Sequence, residues 1–213
     1  MESRELEILG FNHQPLQNIL HSSGNSNSHL AVVLPGLGYL VTYPALLYPN
    51  MLLRQFGADT LHIDPTYRTS TFGDLTDLQK AACIAADAQA IGQAIQKLEQ
   101  YQRLTFIGKS IATRILAAIL EHAAFANAEY IWLTPLFKDQ VVFRAATAPH
   151  KGFFAIGSSD GHYDVELLEQ VKTVGEVLVF EGAGHSLEVF DDVLASIEIQ
   201  AKLARHLLGF LTK

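Results

Sequence analysis

A serine acts as a nucleophile only where a neighbouring base takes its proton and backbone N–H groups await the developing negative charge. Ser110 stands in a stretch with that potential. Leu104-Thr105-Phe106-Ile107-Gly108-Lys109-Ser110-Ile111-Ala112 reads as an apolar strand that turns through a glycine and a serine into the helix-prone run Thr113 to His122. This is the layout of a nucleophile elbow, which lifts a hydroxyl above the end of a sheet at a helix N-terminus, where the dipole favours negative charge. The pattern Gly-x-Ser-x-Ala departs from Gly-x-Ser-x-Gly at its last position. A literal match occurs at Gly157-Ser158-Ser159-Asp160-Gly161. Context favours Ser110: no helix starts at Ser159, because Gly161-His162-Tyr163-Asp164 is a turn-rich string, and only one more strand comes after it.

The elements that must position such a serine can be read from hydrophobic periodicity. Arg4 to Phe11 and Pro15 to His21 read as two short strands joined by a turn at Asn12-His13-Gln14, an antiparallel pair at a sheet edge. Ser22 to Ser28 is a polar loop, and the continuous apolar run His29 to Pro35 is a buried strand. Tyr43 to Phe56 reads as a helix, Asp59 to Ile63 as a strand, and Asp74 to Gln100 as an Ala-rich helix with apolar spacing at three and four. After the elbow, strands are expected at Tyr130 to Thr134, Gly152 to Ile156 and Glu176 to Phe180. Helices are expected at Val165 to Val174 and from about Asp191 to Leu211. Strands alternating with helices predict an α/β fold: a mostly parallel eight-stranded sheet with helices on both faces. No repeat or composition break divides the chain, so residues 1–213 are expected to form one domain.

In open parallel sheets, ligands bind beyond the carboxyl ends of the strands, so residues just after strands carry the chemistry. After the third strand stands Pro35-Gly36-Leu37-Gly38-Tyr39, whose glycines let a loop turn tightly; Leu37 N–H and Ile111 N–H can together form an oxyanion hole. The same string is also an ordinary Pro-Gly turn. After the seventh strand comes Asp160, and after the eighth Glu181-Gly182-Ala183-Gly184-His185-Ser186. A carboxylate and an imidazole thus come after successive strands, in the order Ser, Asp, His. A carboxylate that fixes the tautomer of the base and steadies the imidazolium completes the set, which assigns those roles to Asp160 and His185.

Other residues compete for roles. Asp164 is a rival acid, with helix N-capping as its structural alternative; Asp139, after the sixth strand, is a second rival. His162 lies too near Asp160 in sequence to replace His185 comfortably. Cys83, inside the Ala-rich helix, reads as a small core residue, and His62, inside a strand, as structural. Lys109 suggests Ser-Lys chemistry, but neighbours on an elbow point apart, and a solvated or ion-paired lysine is expected. No HExxH, GxGxxG or P-loop occurs, and neither a cofactor nor a metal is expected.

Composition narrows the partners. Hydrophobic residues make up 49% and charged ones 17% of the 213 residues, which suits a large buried core. A net charge of -7 with no basic stripe argues against a nucleic-acid or anionic-membrane partner. One cysteine permits no internal disulfide and suits a reducing compartment. The charged start Met1-Glu2-Ser3-Arg4-Glu5 and the lack of a long apolar run support neither a signal peptide nor a membrane span, so a cytoplasmic location is expected. The sequence carries no signal of oligomeric state.

In three patches, Pro35-Gly36-Leu37-Gly38, Gly108-Lys109-Ser110-Ile111-Ala112, and Asp160 with Gly184-His185, and in element order over nearly its whole length, the chain resembles the α/β-hydrolase superfamily, particularly the small serine hydrolases related to the dienelactone hydrolase group. The resemblance implies a hydrolase that cleaves a small carboxylic ester, thioester or lactone through an acyl-enzyme, with Ser110, His185 and Asp160 as its triad. Three departures matter. Pro35 precedes the oxyanion glycine where members usually carry histidine or another residue, Ala112 replaces the last elbow glycine, and dienelactone hydrolases use a cysteine where Ser110 stands. Some relatives carry the acid at the place of Asp139. Many members insert a lid between the sixth and seventh strands, but Pro135 to Lys151 leaves about 17 residues, enough for one short helix at about 1.5 Å per residue. A small acyl pocket is therefore expected. The alternative is a non-catalytic binding or scaffold protein that keeps the fold.

Overall fold

A strand as apolar as His29 to Leu34 must be covered on both faces, and the molecule is built around it. A computed structural model describes residues 2–22 and 27–213; the expected loop at Ser22 to Ser28 lies, over residues 23–26, outside the described residues. Among the described residues one sheet holds β1 (Glu2–Arg4), β2 (Gln17–Ser22), β3 (His29–Leu34), β4 (Asp59–Asp64), β5 (Arg103–Lys109), β6 (Glu129–Leu133), β7 (Lys151–Gly157) and β8 (Gly175–Phe180). Their spatial order is β1-β2-β4-β3-β5-β6-β7-β8. β1 pairs antiparallel with β2, and β2 with β4. Every other pairing is parallel. The sheet is the expected eight-stranded, mostly parallel one.

The helices are α1 (Pro44–Gln55), α2 (Ser70–Gly73), α3 (Asp77–Gln96), α4 (Ala112–Leu120), α5 (Gln140–Ala146), α6 (Val165–Val171) and α7 (Val193–Leu211). Alternation along β5 divides the core into two layers. Phe106 packs with the apolar faces of α3 and α4, including Ile91 and Ile115, whereas Ile107 packs with Leu46 and Leu53 of α1 and Leu203 and Leu207 of α7. These side chains are fully buried, each contributing roughly 1.5–3 kcal/mol by leaving water. Helices therefore cover both faces, and β5 lies at the centre with its carboxyl end free for a site.

Two boundaries differ from expectation for physical reasons. The strand expected at Arg4 to Phe11 ends at Arg4. Beyond it the side chain of Asn18 takes over pairing, accepting from Leu6 N–H and donating to Leu6 C=O, and Asp87 of α3 accepts Phe11 N–H at 2.8 Å. The segment thereby leaves the sheet to lie on α3. The Ala-rich helix starts at Asp77, not Asp74, because a capping box between Thr76 and Gln79 fixes its first turn, while Asp74 closes α2. Among the described residues α5 is the only helix between β6 and β7 and spans 7 residues, too few for a lid domain. Among the described residues no helix is long and apolar enough to cross a membrane.

Candidate active site

β5 runs directly into α4 through Ser110, whose φ of 56° lies in the left-handed region. A non-glycine residue held there costs about 1–3 kcal/mol, so surrounding bonds must impose it. They do so from both sides. Ser110 N–H donates to Leu133 C=O at 3.0 Å, continuing the β5–β6 ladder, while Ser110 C=O accepts from Thr113 N–H at 2.9 Å and from the Thr113 hydroxyl at 2.6 Å. Gly108 makes the sharp turn possible: a Cβ there would lie 2.7 Å from Leu116 Cγ, so only glycine lets α4 fold back closely onto β5. Ala112 stands at the motif's last position, buried in the larger core layer.

Above Ser110 lies a continuous relay. Its Oγ is 2.7 Å from His185 Nε2, and His185 Nδ1 is 2.7 Å from Asp160 Oδ2. A carboxylate only accepts, so Nδ1 carries the proton facing Asp160, and Nε2 is left free to accept from the serine hydroxyl. Burial pushes the Asp160 carboxyl up, but the hydrogen bonds from His185 and from His162 N–H outweigh it and hold the group below the usual carboxylate range. Both oxygens of Asp160 are thus occupied, the second by His162 N–H at 2.9 Å. The Asp160 side chain is 1% exposed and that of His185 42%, so a fixed anion is overlaid by an imidazole that substrate can reach.

Leu37 and Ile111 flank the same serine. Ile111 is the N-cap residue of α4, and Leu37 sits in the turn Gly36 to Tyr39, closed by Tyr39 N–H donating to Gly36 C=O. Gly36 brings this turn against the elbow: a Cβ on it would stand 3.2 Å from Ser110 Cβ. The turn after β3 that carries Leu37 thus lies against the elbow after β5 that carries Ile111.

The remaining candidates have other partners. Asp139 caps α5, accepting from Val141 N–H and Val142 N–H, and pairs with Arg114 at 2.9 Å. Asp164 caps α6 through Glu166 N–H and Leu167 N–H. Neither contacts His185. Ser159 is exposed on a turn, its N–H bonded to Ala183 C=O at 2.9 Å. Cys83 is buried beside Asp87, and the His62 ring packs edge-on to His21. Lys109 corrects expectation: it is neither solvated nor ion-paired but 1% exposed. Its Nζ donates to Thr134 Oγ1 at 2.8 Å and to His185 C=O at 2.6 Å, and it lies 4.5 Å from the centre of the Tyr39 ring. Thr134 gave no signal of a place in the site from the sequence, whereas Tyr39 and His162 stood beside the residues expected there but without the contacts that they make. A groove of about 1600 Å³ between α1 and α7 reaches Gly184, His185 and Ser186 but is not lined by Ser110, so the relay locates the chemistry better than the groove does. Among the described residues no group of three or more His, Cys, Asp or Glu side chains is arranged to hold a metal ion.

No protein-family model and no curated protein sequence matches the chain. Solved structures do. Est1E from Butyrivibrio proteoclasticus, solved with ferulic acid bound, matches with a TM-score of 0.67 at 12% identity, over 96% of this chain and 99% of its own. XC6422 from Xanthomonas campestris, described as an α/β serine hydrolase without lid, matches with a TM-score of 0.69 at 12% identity, over 98% and 95%. The Pyrococcus furiosus esterase Pf2001 matches with a TM-score of 0.69 at 15% identity, over 99% and 92%. The chain therefore has the α/β-hydrolase fold, with the strand order and helix layers described above.

Proposed function

We propose that the protein is a serine hydrolase that cleaves a small carboxylic ester, thioester or lactone through an acyl-enzyme. The observation that carries the proposal is the unbroken relay Asp160–His185–Ser110, with both hydrogen bonds at 2.7 Å. Ser110 Oγ attacks the acyl carbon as His185 Nε2 takes its proton, and the tetrahedral oxyanion is received by Leu37 N–H and Ile111 N–H. His185 then gives that proton to the departing alcohol oxygen or thiol sulfur. A water, deprotonated by the same nitrogen, attacks the acyl-enzyme and returns the serine. Asp160 stays ionised throughout, holding the imidazole in the productive tautomer.

Pf2001 is an esterase by description, which supports an ester as the substrate class. With the 7 residues of α5 as the helix between β6 and β7, few residues are available to wall a long acyl chain, which favours short acyl groups. The test is hydrolysis of p-nitrophenyl esters and acyl thioesters of graded chain length, with the Ser110→Ala protein as control. Turnover that disappears in the control supports the reading. A wild-type protein that turns over none of them would instead favour a binding protein on the same fold.

A further inference from the structure

We propose that Lys109 is a positioning residue: its buried ammonium ties the His185 loop to the end of β6 and to the Tyr39 ring, and so holds the imidazole and the oxyanion-hole loop in register with Ser110. This rests on the hydrolase reading above. The placement is set by the strand. Thr105, Ile107 and Lys109 share one face of β5, and Lys109 sits where the α1/α7 core layer ends beneath the site. A lysine is poorly suited to such a position, since an ammonium taken out of water without a contacting carboxylate loses hydration that nothing of opposite charge replaces. An apolar side chain would fill the space without that cost. The contacts explain the choice of residue. Of three N–H donors, one meets Thr134 Oγ1, one meets the backbone carbonyl of His185, and the charge lies over Tyr39. Thr134 is itself held at φ 44° immediately after β6. Tyr39 closes the turn that carries Leu37, and its hydroxyl accepts Ala45 N–H at the start of α1.

One ammonium thus joins three loops that arise from three strands. The nucleophile's own neighbour sets the height of the base that activates it. The contact is to the carbonyl of His185, not to its ring, so Lys109 leaves Nε2 free for Ser110 and takes no proton from it.

The groups facing Lys109 also give it a titration. Burial lowers the ammonium to about 8, against the carboxylates of Asp160 after β7 and Glu188 after β8, which pull it upward. His185 and Tyr39 are the titratable residues that Nζ touches directly, and Tyr39 is raised to about 12, chiefly by burial, and stays neutral. Above about pH 8 the amine loses its charge, weakening its hold on the His185 carbonyl and ending its attraction to the Tyr39 ring. The predicted signature is an alkaline fall in kcat that belongs to a residue outside the triad.

The experiment compares wild type, Lys109→Met and Lys109→Arg, using p-nitrophenyl acetate hydrolysis from about pH 6 to 10 and thermal unfolding. Wild type should lose kcat through about pH 8. Lys109→Met should fold with an undiminished Tm, lose kcat by about 10- to 100-fold with KM within about twofold, and show no limb near pH 8. Lys109→Arg keeps its charge at every pH tested, so it should retain more activity than Lys109→Met, again without the limb. A folded Lys109→Met with wild-type kcat and an unchanged limb overturns the proposal. Absence of any limb near pH 8 in the wild type overturns the charge-dependent part without any variant. If the wild type hydrolyses nothing, the hydrolase reading fails separately, and NMR of the His185 ring still decides the positioning claim. Its resonances should shift in Lys109→Met, and identical resonances overturn it.

Discussion

β5 and β7 each end in a glycine–serine pentapeptide at the same edge of one parallel sheet, yet the two serines inhabit different chemistry. At Ser110 the chain passes directly into a 9-residue helix, and the residue is forced to φ 56° between the Leu133 carbonyl and Thr113. At Ser159 the chain makes a polar turn and begins α6 only at Val165. The literal Gly-x-Ser-x-Gly contributes its aspartate, not its serine: Asp160 faces His185, while the Ser158 hydroxyl accepts Gly182 N–H and merely ties two loops together. A five-residue pattern therefore says less than the element that succeeds it along the chain. A serine becomes a candidate nucleophile when a helix start fixes its direction and a base stands over it.

The largest effect should separate these two serines. Ser110→Ala should lower kcat/KM for a short ester by about 10⁴-fold or more, leaving only what binding and oxyanion stabilisation supply. Ser159→Ala should stay within about threefold of wild type, as steady-state kinetics on the purified proteins would show. Equal losses in both would break the comparison.

The three aspartates sharpen it next. Asp160→Asn should reduce kcat by about 10³- to 10⁴-fold, because an amide facing Nδ1 favours the wrong tautomer. Asp139→Ala and Asp164→Ala should leave kcat within a few-fold and instead cost about 0.5–2 kcal/mol in denaturant unfolding, the ordinary loss of a helix cap. If Asp139→Ala removed activity while Asp160→Asn kept it, the acid would belong after β6.

Chain-length preference should be smaller. With 7 helical residues between β6 and β7, acetyl to butyryl esters should exceed palmitoyl ones in kcat/KM, by on the order of 1–3 kcal/mol for each methylene that meets a wall. No rate jump should appear at a lipid interface. A preference for long chains below their micellar concentration would assign the groove along α1 and α7 to the acyl group.

The smallest effect concerns stability. Because Asp160 titrates below its unfolded value, the stability it contributes is present above the ordinary carboxylate pKa and lost as pH falls through its lowered one. Urea midpoints of wild type and Asp160→Asn should therefore differ at about pH 7 and converge as pH falls below the ordinary carboxylate range. A gap that persists at the acid end would mean that shape, not charge, explains the difference.

Much of this was legible in the sequence, where local pattern and tertiary need agree. The apolar runs of β3 and β5 could be satisfied only as buried strands, and Asp160 and His185 stand just past strand ends, where open sheets gather ligands. What escaped was set by distant partners. Residues 5–11 read as a strand, but the Asn18 and Asp87 side chains claim their backbone. Lys109 read as solvated or ion-paired because neighbours on an elbow point apart, although its place two residues beyond Ile107 on one strand face already pointed it inward. Its contacts with Thr134 and the His185 carbonyl depend on loops that meet only after folding.

The central claim is that the hydroxyl at the end of β5, and not the one at the end of β7, is activated. Treatment with a fluorophosphonate and subsequent peptide mass mapping tests it most directly. A stoichiometric adduct is expected on the peptide carrying Ser110, abolished in His185→Ala, with Ser159 unmodified. An adduct on Ser159, or none on a folded wild-type protein, would contradict it.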